Sequence, residues 1–370
     1  MKVLHLIPSL NFSGVGRQLA LLCHGLPAGK SQVCVLGRDA SGISLLDKPS
    51  TPVHILGQSR RLDLVALWKL RRLVRSFQPH VIHAWGLGAV RSLAIAGQGK
   101  SRLLVGAPLT AQPLTMLDRW LLNRADRIVV RGQAEAKRCA LAGLHGHQIA
   151  VVPPGIDRGF FEQKASPLGS KTLPARRVIC AGNLESHKGY CDAIWALDIL
   201  HFLFPDIQLD LAGTGPDRDR LETFARRNRI AAGFLGRCGD MPALLNQAGV
   251  VWVPSHGNCG VQSALEAMAA GKPVIATDRP SLREIITDCQ TGFLIQPGDK
   301  IALARRTREL FRNADLPRQM GEAGQRRAAT FSAEKFVART LDLYQELAGD
   351  AEAAPAGSDY IRHAKAIKAA

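Results

Sequence analysis

The 370-residue sequence predicts an α/β protein built from two doubly wound domains. Three observations carry that expectation. Short apolar runs of strand length alternate with helical stretches through both halves of the chain. The length suits two domains of ordinary size. Between the halves, residues 163–175 (QKASPLGSKTLPA) have linker chemistry, with Pro, Gly, Ser and Lys and few large apolar side chains.

In chain order, KVLHLIP reads as the first strand and residues 11–16 (NFSGVG) as a loop. A helix follows over Gly14 to Leu26, with Leu19, Leu22 and Leu26 on one face. QVCVLG and VHILG are further strands. Residues 60–77 form an amphipathic helix whose apolar set includes Leu64, Leu67, Trp68 and Leu70 and whose charge comes from Arg61, Lys69, Arg71, Arg72 and Arg75. HVIHAW (80–85) is a strand, followed by a helix over Gly86 to Ala96. LLVGA, RIVVRG and IAVVPPG complete the first series, and Pro153-Pro154-Gly155 punctuates its end. The second series is RVICAG, IQLDLAG, AGFLG, VVWVPS, PVIAT and TGFLIQP. The domains are expected at 1–160 and 161–330, with a helix at 331–348 that could pack back on the first domain and an Ala-rich, frayed tail at 349–370.

Composition narrows the class. Apolar residues make up 46% and mean hydropathy is near zero, as in a soluble globular protein. No apolar run reaches spanning length. MKVLHLIPSL is too short for a signal segment and reads better as the first strand. Eight cysteines form no C-x-x-C pair, which suits free thiols in a reducing cytoplasm more than disulfides or zinc. Cys259 stands apart because it sits in a loop with chemistry. The net charge is +17, and residues 1–158 hold 21 Lys and Arg against 7 Asp and Glu, a net of +14. That half favours an anionic partner such as an acidic membrane surface, a phosphorylated lipid or an acidic polymer. Nucleic acid is disfavoured, since no aromatic platform accompanies the charge.

Three loops of the second half follow strands. In Val250 to Asp278, the strand VVWVPS runs through the loop His256–Gly260 into a helix over Val261 to Ala270 that closes at Gly271, and PVIAT restarts a strand. A helix starting beside a strand's carboxyl end points free N–H groups at a ligand, and a phosphate suits the spot beside Gly260 and Val261, with Glu266 further on. The second loop is Gly182-Asn183-Leu184-Glu185-Ser186-His187-Lys188-Gly189. Lys188 at a helix start opposes the helix dipole unless an anion neutralises both; otherwise it is an exposed turn lysine. The third loop is Gly213-Thr214-Gly215-Pro216, where Pro216 suits a first helical turn. Three such loops at one sheet edge would make one crevice.

With these stretches in hand, the chain resembles the retaining GT-B-fold glycosyltransferases of the E-x7-E group (glycosyl transferases group 1, family four) from Met1 to about Leu347. FSGVGRQLALLCHGL is similar to the family's glycine loop and first helix, HVIHAW to its D-V-V-H-A-H strand, and IAVVPPGID to the end of its first domain. AGNLESHKGYCDAI, LDLAGTGPDRDRLE and ALEAMAAGKPVIATD resemble its second-domain motifs. The resemblance implies two Rossmann-like domains facing across a cleft. It implies a nucleotide-diphospho-sugar held mainly by the second domain and a glycan or lipid-linked acceptor on the first. Transfer would proceed with retention, in glycolipid, polysaccharide or cell-envelope glycan synthesis. The implied donor-binding residues are Gly14, Gly16, Gly182, Asn183, Lys188, Gly213, Gly215, Gly260, Val261 and Glu266, with Glu266 on the ribose. The candidate catalytic set is Lys188, Asn258 and His83, the last also readable as a strand-end structural histidine. No metal and no further cofactor is implied. The location expected is cytoplasmic, with contact to an anionic membrane through the basic first domain.

The sequence departs from the family at four places. Asn258 stands at the motif's first Glu, Asn183 at its clamp arginine, and His80 and Trp85 at the Asp and second His of its strand. Ala107-Pro108 stand where a His usually ends a strand. Arg237, His256, His187 and Arg17 are candidate substitutes for the missing charge. Two readings follow: an active transferase with a variant site, or a GT-B-fold protein without catalysis that acts as a binding or partner subunit. A NAD-dependent enzyme fits less well, because no G-x-G-x-x-G follows the first strand.

Overall fold

A computed structural model describes residues 1–27, 29–46, 51–59, 63–106, 114–162 and 176–353, with side chains to residue 349. The linker at 163–175, Arg61, Ala107-Pro108 and the tail beyond 353 lie outside the described residues.

The first half forms a seven-stranded sheet from β1 (Val3–Ile7), β2 (Ser31–Val35), β3 (Val53–Ile55), β4 (Val81–Trp85), β5 (Arg102–Gly106), β6 (Arg127–Val130) and β7 (Ile149–Val151). Its order is β3-β2-β1-β4-β5-β6-β7, and every pairing is parallel. The second half forms a six-stranded parallel sheet from β8 (Arg177–Ala181), β9 (Gln208–Ala212), β10 (Ala232–Gly236), β11 (Val250–Val253), β12 (Val274–Thr277) and β13 (Phe293–Ile295). Its order is β10-β9-β8-β11-β12-β13. Strands such as β1, β4 and β11 are buried at every position, because helices cover both faces of a parallel sheet. Two doubly wound domains facing one another make the GT-B fold.

The strand order decides where a ligand can sit. Each sheet reverses its winding once, between β1 and β4 in the first and between β8 and β11 in the second. Connections leave those strands toward opposite faces, so a crevice opens at their carboxyl ends. The loops at those ends are 8–13 after β1, Gly86 after β4, 182–189 after β8 and 254–260 after β11.

Three elements differ from expectation. The helix expected over 60–77 begins at Leu64, where Asp63 accepts a hydrogen bond from the Ala66 backbone N–H at 3.1 Å. Its core face is Leu67, Leu70, Val74 and Phe77, while Leu64 and Trp68 are 77% and 59% exposed. Leu64 and Trp68 lie one step around the helix from that stripe. Pro216 precedes the next helix, which starts at Arg218. The Asp217 N–H instead bonds the Leu184 carbonyl at 3.0 Å, tying this turn to the loop after β8. The last helix runs from Ala333 to Ala353.

That last helix returns to the first domain. Phe336 packs with Leu10, Leu19 and Val152, and the Tyr344 hydroxyl lies 2.7 Å from His83 Nδ1. A second link joins the halves at Glu284. Its carboxylate accepts from the Gln133 N–H at 3.1 Å and from the Ala134 N–H, capping the first-domain helix Gln133–Leu141.

His5 and His83 are paired in register across β1 and β4 beneath Tyr344. Burial lowers His5 from 6.5 to about 3. Burial, with His5 beside it, holds His83 well below the usual histidine range. Both rings are therefore neutral in the fold at pH 7. A depressed folded value gives its full share of stability above about pH 6.5, and that share is lost as pH falls toward 3. For His5 the loss between pH 7 and pH 5 is about 2 kcal/mol. Urea unfolding at the two pH values checks this: His5→Leu is expected to lose less stability on acidification than the native chain.

Candidate active site

The two switch points face each other, and the space between them is a cleft of about 280 Å³. From the first domain it receives Phe12, Ser13, Gly14, Arg17 and Gln18 on the loop and helix after β1, with His83 and Trp85 at the end of β4. From the second it receives Gly182, Asn183 and Lys188 after β8, and Cys259 to Ser263 and Glu266 after β11. An adjoining pocket of about 270 Å³ shares Phe12, Arg17, Gly182 and Asn183 and is closed by Gly213 to Pro216.

The second-domain wall is built from backbone. Gly260 has φ +93 and caps the helix Val261–Ala269, whose first N–H groups open toward the cleft. A side chain at Gly260 would run into Val253, so this turn requires glycine. Gly189 caps the helix Tyr190–His201 in the same way, directly after Lys188. Two helix starts therefore converge on one crevice. Ser263 Oγ donates to the Ala181 carbonyl at 2.9 Å and pins the start of the helix Val261–Ala269 to the end of β8. Gly213 lets the third loop approach: a side chain there would strike the Gly182 carbonyl.

Charge in the cleft is mixed. Lys188 is half-buried, and among the described residues its ammonium makes no ion pair. Asn183 Nδ2 donates to Glu185 at 3.1 Å, and His187 Nδ1 lies 3.4 Å from the same carboxylate. His256 Nε2 lies 2.6 Å from Asp192, and its backbone N–H donates to the His187 carbonyl at 2.9 Å. The loop carrying Lys188 is thus held from both sides. Arg131 pairs with Glu135, with Nε–Oε2 at 3.1 Å.

Glu266 is 2% exposed and lies at the centre of a network crossing between the domains. Arg17 pairs with it across the cleft. Gln262 Nε2 donates to it at 2.9 Å, and Gln18 Nε2 donates to Gln262 Oε1 at 3.0 Å and to the Gly155 carbonyl at 2.8 Å.

The structure brings Gly14, Gly182, Asn183, Lys188, Gly260, Val261 and Glu266 onto the cleft. Gly213 and Gly215 fall in the adjoining pocket. Gly16 is buried against the Asn11 carbonyl and lines neither space. Asn258 lines a separate interdomain pocket with Arg131, Ser281 and Glu284, and its buried Oδ1 has no hydrogen-bond partner. His83 is 1% exposed, stacks on Trp85 with centroids 4.1 Å apart, and leaves Nε2 unpartnered beside Gly106. Of the four candidate cations, Arg17 and His187 reach the cleft, Arg237 lies in the adjoining pocket over the Phe12 ring, and His256 serves the Lys188 loop. Sequence reasoning missed Gln18 and Gln262 altogether. Gln18 has partners far along the chain, Gln262 joins it to Glu266 one turn on, and glutamine on a helix face carries no pattern of its own.

Residues 169–327 match the family described as glycosyl transferases group 1, and residues 12–160 match glycosyltransferase family 4. The chain is 34% identical over 307 residues to EpsD of Bacillus subtilis (strain 168), assigned as a glycosyltransferase, across 76% of this chain and 80% of EpsD. It is 27% identical to glycogen synthase of Mycobacterium tuberculosis (strain ATCC 25618 / H37Rv), across 91% and 92% of the two chains, so the likeness takes in both domains. Among solved structures, Anabaena HepE in complex with UDP-glucose superposes with a TM-score of 0.79 at 20% identity, covering 94% of this chain and 100% of that one. Sucrose-phosphate synthase from Thermosynechococcus elongatus gives 0.75 at 19% identity, covering 94% and 99%. At such identities the superpositions speak for the fold.

Proposed function

The chain belongs to the glycosyl transferases group 1 family, and on that premise we propose that it moves a sugar from a nucleotide-diphospho-sugar to an acceptor hydroxyl with retention. The products would be a glycolipid, polysaccharide or cell-envelope glycan. The observation that carries this reading is the convergence of Lys188, two helix starts and the buried Glu266 on one interdomain cleft. Glu266 accepts hydrogen bonds from the ribose hydroxyls. Lys188 and the N–H groups at Val261 stabilise the diphosphate as the glycosidic bond breaks, without a metal. Facing domains bring the acceptor hydroxyl to the anomeric carbon and exclude water. HepE, a structural neighbour, is solved with UDP-glucose, which supports a nucleotide-sugar donor.

The acceptor lies on the first-domain side, near Gly14 and Trp85. His83 supports that wall through Tyr344; its burial and neutral ring favour holding the strand end over taking a proton. Exposed Leu64, Val65 and Trp68, with Arg72 over the Trp68 ring at 5.7 Å and Arg71 and Arg75 on the same helix, would rest on an anionic membrane at its cytoplasmic face. No helix among the described residues is long and apolar enough to cross one. Liposome flotation tests the contact: recovery is expected with acidic lipid and lost in high salt, and equal recovery with neutral lipid contradicts it.

A second reading has a specific observation behind it. Asn183 is committed to Glu185 and Asn258 lies off the cleft, so a GT-B-fold binding or partner subunit would also keep Glu266 and Lys188. Incubation with UDP-, GDP- and ADP-sugars separates the two. Release of the nucleoside diphosphate from one donor, with the product keeping the donor's anomeric configuration by NMR, supports transfer. Binding without release, with or without acceptor, supports the partner reading.

A further inference from the structure

Resting on this donor chemistry, we infer that Arg17 is a switched ligand of the diphosphate: its guanidinium, paired here with Glu266, passes to the donor's phosphates when ribose hydroxyls take its place on the carboxylate. Arg17 lies in the first turn of the helix Gly14–Gly25 and reaches across the cleft to the second domain. It lines both the cleft and the adjoining pocket, so it stands at the passage between Lys188 and the Gly213–Pro216 turn. A diphosphate brings at least two negative charges to this passage. Lys188 supplies one cation, Asn183 supplies none, and Arg131 is held by Glu135. His187 lies against Glu185, which leaves Arg17 as the cleft's second arginine, and its planar fork suits phosphate oxygens.

The exchange has a built-in order. The Glu266 side chain is 3% exposed and that of Arg17 18%, so the arginine is the end of the pair that an incoming ligand can reach. A buried carboxylate stripped of its cation is strongly unfavourable. Gln262 remains on Glu266 throughout, and the hydroxyls of a ribose diol replace the donors that Arg17 withdraws. Arg17 therefore leaves Glu266 only when a nucleoside arrives, and the diphosphate gains its second cation only as part of a nucleotide.

Calorimetric titration of the full chain with UDP, GDP and ADP, and with the matching nucleosides, tests this. Arg17→Met is expected to bind the accepted nucleoside diphosphate about 10- to 100-fold more weakly than the native chain. Its affinity for the nucleoside is expected to stay the same or rise, because Glu266 is freed for ribose. Arg17→Lys, which keeps the charge without the fork, falls between and carries the test if the methionine variant does not fold. Equal weakening for both ligands marks Arg17 as a purely structural pair and overturns the inference, as does no weakening for either. A native chain that binds none of the three diphosphates overturns the proposed function and this inference with it. Native binding with unchanged Arg17 variants removes the inference alone.

Discussion

A Lys188→Ala chain is expected to transfer sugar about 100- to 1000-fold more slowly than the native chain, with little change in melting temperature. The two halves of that expectation come from separate observations. Among the described residues Lys188 forms no ion pair, and it sits on a short turn held by the His256 N–H and by Gly189, so its removal leaves the fold's bonds intact. Its ammonium faces the space where two helix starts converge. As the glycosidic bond breaks, negative charge grows on the diphosphate there, and a cation placed beforehand stabilises the transition state more than the ground state. The loss should therefore fall mainly on kcat, with a smaller rise in KM. Lys188→Arg keeps the charge and is expected to recover part of the rate. Steady-state kinetics with thermal unfolding as control checks both variants, and a native kcat in Lys188→Ala would remove this lysine from the chemistry.

The second large effect belongs to Glu266. Glu266→Gln keeps the shape of the side chain and removes its charge. Two contacts weaken at once, the pair with Arg17 and the hydrogen bond from Gln262. The ribose loses a charged acceptor, for which hydrogen bonds contribute about 1.5–3 kcal/mol each. Nucleoside affinity is expected to fall about 100-fold, and nucleoside diphosphate affinity by at least as much. Stability is expected to fall by about 2 kcal/mol, because a half-buried guanidinium loses its partner inside the interface between domains. Native nucleoside affinity in this variant would place the ribose elsewhere.

Much of this cleft could be read from the chain. The β/α alternation, the glycine loops after β8 and β9, and the helix start at Gly260 are local patterns, and the sheet order turned them into one edge. Glu266 and Lys188 were legible because each sits at a fixed distance from such a loop. What was not legible depends on long-range pairing. Arg17 reads as one of four candidate cations for the cleft, and only the meeting of the domains sets it on Glu266. Asn258 occupies the motif position of an acid, yet the turn through Gly257 and Cys259 puts it in a neighbouring pocket beside Arg131. His83 reads as a strand-end structural histidine more readily than as a base, and its burial and its contact with Tyr344, far along the chain, favour the support. Trp68 belongs to an apolar set by composition, but the sheet accepts one stripe of that helix and leaves the indole outside.

The central claim is that a nucleotide-sugar binds in the interdomain cleft against Glu266. Calorimetric titration of nucleoside diphosphates into the native chain and into Glu266→Gln, side by side, tests it most directly. Saturable binding of one diphosphate by the native chain, weakened about 100-fold by the substitution, is the predicted result. Binding of equal strength in the two proteins, or binding by neither, would contradict it.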